Sequence, residues 1–116
     1  MREVGFYRRD NGTSPIEEFL DSLSAKDTQK ITWVLQLIED QPIVPDTYLK
    51  NLVNTSDIWE VRVQRGNNAF RLLGFFQSSD FILLANGFRK KSRKTPSGEI
   101  HLAEQRKAEV LRRNDE

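Results

Sequence analysis

The sequence predicts an α+β domain in which an antiparallel β-sheet packs against an N-terminal helical hairpin and a C-terminal helix, in the order β-α-α-β-β-β-α. Three observations predict it. Helix-start signatures and 3.6-residue apolar spacing occupy residues 14–38, period-two sequence rich in β-branched and aromatic residues occupies 58–87, and a second helical pattern follows Pro96. The 116 residues suffice for one such domain with a core of its own, and neither a repeat nor a low-complexity linker divides them.

Val4 to Tyr7 reads as a short first strand, ended by the turn cluster Arg9-Asp10-Asn11-Gly12. Ser14-Pro15-Ile16-Glu17 then combines an N-cap serine, a proline at the first helical position and a glutamate at the third, a capping box that opens a helix to about Leu23. Ser24-Ala25-Lys26-Asp27 is a second cap. Behind it Ile31, Val34, Leu35 and Ile38 form an apolar stripe that Trp33 and Leu37 widen, and Pro42 and Pro45 end the helix. Helices joined by so short a link form a hairpin.

The period then changes to two. Ile58–Gln64, Ala69–Phe76 and Phe81–Gly87 are expected strands, joined by hairpin-like turns at Gly66-Asn67 and Ser78-Ser79. Thr95-Pro96 marks the start of a last helix, about 96–112, with a thin apolar stripe of Ile100, Ala103, Val110 and Leu111 and a favourable Glu109–Arg113 pair.

Composition excludes several chemistries. There is no cysteine, hence no disulfide framework, thiol nucleophile or thiolate zinc site, and one histidine, His101, excludes any site that needs two. The acidic pairs Glu17/Glu18 and Asp115/Glu116 read as helix-start and tail charges, so no metal or other cofactor is expected. No apolar run approaches the roughly 18 residues of a membrane span, and Met1 opens on charged residues unlike a signal peptide, so the expected location is the cytoplasm.

The formal net charge of +1 conceals an uneven distribution. Residues 1–58 sum to −4, residues 59–95 to +6 and residues 96–116 to −1. Such asymmetry points to an anionic partner. Register sharpens the point. With Gly66-Asn67 at the centre of the first hairpin, Arg62 lies directly opposite Arg71, while Trp59, Val61, Val63, Phe70 and Leu72 share the core face. Like charges placed opposite each other on a sheet repel by about 0.2–1 kcal/mol. An anion between the two guanidiniums reverses that sign. The alternative is a solvated cross-strand ion-pair cluster with Glu60 diagonally between them. For the second hairpin, a turn at Ser78-Ser79 puts Asn86 beside Arg71, and alternation brings Phe88 and Lys90 to the same face. Phe88-Arg89-Lys90-Lys91-Ser92-Arg93-Lys94 carries five cations in seven residues. It reads either as a solvated basic loop or, with Phe88 as a stacking surface, as the rim of a groove for single-stranded RNA.

Trp59-Glu60-Val61-Arg62, Phe70-Arg71-Leu72-Leu73-Gly74-Phe75-Phe76 and Gly87-Phe88-Arg89-Lys90-Lys91-Ser92-Arg93-Lys94-Thr95-Pro96, followed by Glu99-Ile100, resemble the RelE/ParE superfamily of type II toxins, in particular its phage-derived, HigB-like branch. The resemblance implies a RelE-like α+β fold and a metal-independent endoribonuclease that cleaves mRNA, often on the ribosome. It also implies neutralisation by a cognate antitoxin, expected to be a small helix-turn-helix protein. By position, Arg62 and Arg71 match strand arginines that bind phosphate, and Lys90, Lys91 and Lys94 match the basic rim. The expected catalytic set is therefore Arg62, Arg71, Lys90 and Lys91, and the expected substrate contacts are Glu60, Phe88, Arg89, Arg93 and Lys94. The sequence departs from the superfamily in having no histidine or tyrosine at the end of the last strand. Tyr7 and Tyr48 lie elsewhere in the chain and His101 falls on the final helix. Two rival readings share this fold: a ParE-like inhibitor of DNA gyrase that cleaves no RNA, and an RNA-binding module without catalysis.

Overall fold

Both N-terminal helices begin at the serines that cap them. In the computed structural model, which describes residues 2–115, Ser14 Oγ accepts the Glu17 N–H at 3.2 Å and opens α1 (Pro15–Asp21). Ser24 Oγ accepts the Asp27 N–H, also at 3.2 Å, and opens α2 (Ala25–Asp40). The remaining elements are β1 (Glu3–Phe6), β2 (Leu49–Asn51), β3 (Trp59–Arg65), β4 (Asn68–Ser78), β5 (Phe81–Arg89) and α3 (Ser97–Asn114). Glu116, half of the acidic pair at the chain end, lies outside the described residues, as does Met1.

Among the described residues the five strands form one sheet in the order β1-β5-β4-β3-β2. The α+β class stands, with two differences of detail. β1 adds to the outer edge of β5 in parallel, so the sheet is mixed. Local periodicity defines a strand but not its place in the sheet. The three-residue β2, which pairs antiparallel with Trp59–Val61, is too short to show a period.

Helices cover both faces. Ile16 of α1 and Ile31, Val34, Leu35 and Ile38 of α2 pack with Val61, Val63, Phe70, Leu72, Ile82 and Leu84. On the opposite face Ala103 and Val110 of α3 pack with Tyr7, Ile58, Leu73, Phe75, Leu83 and Ala85. A strand buried on both faces reads as a continuous apolar run, which is why Leu72-Leu73-Gly74-Phe75-Phe76 and Phe81-Ile82-Leu83-Leu84-Ala85 alternate so little. Arg65 Nε donates to Asp27 Oδ1 at 2.6 Å and pins the first turn of α2 to the end of β3, holding the Asp27 carboxyl below its usual range.

The first hairpin has the expected register, Arg62 opposite Arg71, with Gly66 supplying the positive φ (57°) of its turn. The second differs by two positions. Asn86 pairs with Leu73 and Phe88 with Arg71, because the turn lies at Ser79-Asp80. Two irregularities break the ladder, and Ala85 is the extra residue in the first, between the Leu73–Asn86 and Gly74–Leu84 pairs. Its carbonyl accepts Arg106 Nη1 at 2.9 Å. The bulge lets Ile82 and Leu84 face α1 and α2 while Asn86 and Phe88 face α3. Uninterrupted alternation cannot satisfy both.

Candidate functional site

The site starts from a buried carboxylate. Alternation on β3 turns Glu60 and Arg62 away from α1 and α2, and Arg71 of β4 meets them on that face. Glu60 is 1% exposed. Its Oε1 accepts Arg62 Nε at 2.9 Å and lies 3.7 Å from Arg71 Nε, and its Oε2 accepts the Thr95 hydroxyl. The cluster is thus neither solvated nor an empty gap between arginines: one desolvated anion is ringed by donors. A buried carboxylate survives only with such partners.

Arg71 is the more enclosed guanidinium, with its side chain 12% exposed. Its Nη1 donates to the Phe70 carbonyl at 2.9 Å, whereas its Nε has no hydrogen-bond partner. Burial, set against Glu60 and reinforced by Arg62, lowers its pKa from the usual arginine value. Lys90 completes the group. Its N–H donates to the Ala69 carbonyl at 2.8 Å, extending the β4–β5 ladder one residue past the strand. Burial lowers the Lys90 pKa, Arg71 and then Arg62 lower it further, and Glu60 opposes them. Three cations, Arg62, Arg71 and Lys90, thus share one carboxylate, a local surplus that an incoming phosphate can neutralise.

The rest of the basic segment divides. Phe88 stands opposite Arg71, partly buried against the α3-side cluster. Arg89 projects to the other face, where its guanidinium lies 5.3 Å from the Phe70 ring centroid and donates to Asn68 Oδ1 at 3.0 Å. Lys91, Arg93 and Lys94 are exposed on the loop into α3, and among the described residues they form no ion pair. The structure therefore brings Glu60, Arg62, Arg71, Phe88 and Lys90 together on one face, leaves Lys91, Arg93 and Lys94 at its rim and separates Arg89 from it.

Three further residues belong to this neighbourhood. A cavity of about 450 Å³ is lined by Lys30, Thr47, Tyr48, Arg62, Val63, Gln64 and Arg71. Tyr48 and Lys30, distant in sequence, are therefore neighbours of the arginine pair, and no local pattern announces it. Thr95 looks like a helix-start residue, but the N-cap position belongs to Pro96 and the Thr95 hydroxyl is spent on Glu60. The other tyrosine is elsewhere: Tyr7 is 4% exposed and donates to Glu109 Oε2 at 2.8 Å, and burial with that hydrogen bond raises its pKa. His101 is exposed on α3, in a separate hollow with Val53 and Glu104. Among the described residues no helix is long and apolar enough to cross a membrane, and no three carboxylates or imidazoles come together as metal ligands.

Comparison with known proteins identifies the chain at the level of family. No curated protein matches the chain. The family model described as phage derived protein Gp49-like (DUF891) matches residues 18–108, well over half of the sequence and all of the site residues. That family is associated with RelE-like toxins, and its members are commonly the toxins of toxin–antitoxin systems. On the extent of that match, the chain belongs to the Gp49-like family of phage-derived proteins.

Proposed function

We propose that the protein is the toxin of a type II toxin–antitoxin pair, of the HigB-like kind, and that it cleaves mRNA in the cytoplasm as a metal-independent endoribonuclease until its antitoxin covers it. The observation that carries this reading is the Arg62–Arg71–Lys90 group anchored on the buried Glu60. RNA supplies its own nucleophile. Attack of the 2′-oxygen on the adjacent phosphorus forms a 2′,3′-cyclic phosphate as the bond to the 5′-oxygen breaks. The protein must align that attack, take one proton, return one, and stabilise the dianionic phosphorane. Arg62 and Arg71 grip the non-bridging oxygens. Lys90, whose pKa is lowered, takes the 2′-hydroxyl proton in its neutral form, and Lys91 or Lys94 protonates the leaving oxygen. Glu60 positions the arginines without touching substrate, and Phe88, Arg93 and Lys94 guide the strand.

The test is primer extension on mRNA from translating lysates, and on naked mRNA with EDTA in excess, using wild-type, Arg71→Ala and Lys90→Ala proteins. Wild type should create new 5′ ends inside reading frames. Arg71→Ala should reduce them by about 10²–10³, the scale of losing a transition-state donor, and Lys90→Ala by about 10²–10⁴, the scale of losing a general base. Undiminished cleavage by both variants overturns the mechanism, and abolition by EDTA of the cleavage of naked mRNA overturns its metal independence. Inhibition of gyrase supercoiling without new 5′ ends favours the ParE-like alternative, and RNA binding without scission reduces the protein to a binding module.

A further inference from the structure

Beyond Tyr48 the edge of the sheet opens. The Arg62 N–H donates to the Tyr48 carbonyl at 2.8 Å, the last backbone rung between the chain leading into β2 and β3. Alternation turns the Gln64 peptide group to the same side two residues on, where β2 no longer covers it. Into this gap faces α2, fixed in place by the Arg65–Asp27 ion pair one turn before Lys30. Trp33 and Tyr48 meet edge to face, with ring centroids 6.1 Å apart and planes at 71°, and the Lys30 ammonium lies 4.5 Å from the Trp33 ring centroid. Trp33 remains 50% exposed. The core does not need it, because Ile31, Val34, Leu35 and Ile38 already fill that face of α2.

The cavity joining this corner to the arginine pair, about 450 Å³, has the size of a small-ligand site, about 300–1,000 Å³. Its lining holds three cations, an aromatic ring and a strand edge, and no carboxylate. That combination suits an anion bearing a flat ring better than a peptide strand. A strand would find only the short uncovered stretch around Gln64 to pair with, and an acidic side chain has no use for the Tyr48 ring.

We propose that this groove is a nucleotide subsite: the base next to the phosphate held by Arg62 and Arg71 stacks on Tyr48, and Lys30 meets the following phosphate. Trp33 braces Tyr48 from the side and holds Lys30 over its own ring. The inference rests on the reading of the arginine face as an RNA site and extends that site across the sheet edge to α2.

The probe is a 2′-O-methyl RNA hexamer, which cannot be cleaved through a 2′-hydroxyl, titrated against a Trp59→Phe protein in which Trp33 is the sole tryptophan. Binding should change Trp33 emission saturably. Lys30→Ala and Tyr48→Ala should each weaken affinity about tenfold, and Tyr48→Phe, which keeps the ring, should restore it. A merely structural Tyr48 would affect every oligomer alike. Instead, Tyr48→Ala should cost nothing further when the oligomer carries an abasic residue at the stacked position. Wild-type affinity for the intact hexamer in both Lys30→Ala and Tyr48→Ala overturns the subsite alone, provided Arg71→Ala still abolishes binding. Unimpaired RNA binding together with lost capture of the antitoxin overturns it in favour of a protein contact. Failure of the hexamer to bind the wild-type face, or indifference to Arg71→Ala, removes the RNA reading itself and the subsite with it.

Discussion

Glu60 is where pairing, burial and charge meet. Its neighbours are readable from the hairpin: Gly66-Asn67 fixes the turn, the turn fixes the register, and the register sets Arg62 against Arg71. Its burial is not readable, because the hydroxyl that closes over it comes from Thr95, thirty-five positions away in the chain. Glu60→Gln keeps the shape and removes the charge. The carboxylate is the influence that raises the Lys90 pKa against burial, Arg71 and Arg62. Its loss therefore lowers that pKa further, and the limb of the pH–rate profile where neutral Lys90 becomes available moves to lower pH. The plateau rate should fall about 10- to 100-fold as the arginines lose a charged hydrogen-bond acceptor. A pH–rate profile of RNA cleavage measures both, and an unmoved limb removes Lys90 as the titrating base.

At the scale of elements, what is local is legible and what depends on a neighbour is not. Ser14 and Ser24 announce α1 and α2 because a cap acts within three residues. The β5 register misleads by two positions because the turn lies one residue later than the serine pair suggests, and the extra Ala85 is revealed only by its partners, β4 on one side and Arg106 on the other. Gly87 shows how closely β5 is fitted to its cover. A Cβ there would lie 2.6 Å from Phe19 Cδ2 of α1. Gly87→Ala should therefore force Phe19 outward and cost about 1–3 kcal/mol, as overpacking of a fitted core does. Thermal unfolding checks this. An unchanged Tm would mean that the Phe19 ring has free space to swing into.

For the molecule as a whole, the division of charge along the sequence becomes a division in space. The central residues, +6 overall, supply β3, β4, β5 and the rim, and the −4 N-terminal half supplies the two edge strands and most of the cover on the opposite face. Binding to single-stranded RNA should weaken with salt, with a slope of log K against log[salt] of about −0.7 per phosphate neutralised. Replacing Lys91, Arg93 and Lys94 together by alanine should flatten that slope and leave the Glu60 cluster folded. A slope identical to wild type would place the rim cations off the path of the strand. The site was half visible at this scale: the basic segment is contiguous in sequence, whereas Lys30 and Tyr48 join it only when the sheet edge folds beside α2. The bulge in β5 also sets how the chain tolerates changes of length. Because Ala85 is one residue more than pairing with β4 requires, deleting it restores plain alternation and keeps Phe88 opposite Arg71, at the loss of the acceptor for Arg106. A residue inserted beside it has no such slack to fill. At Ala85, β5 is thus buffered against deletion and exposed to insertion.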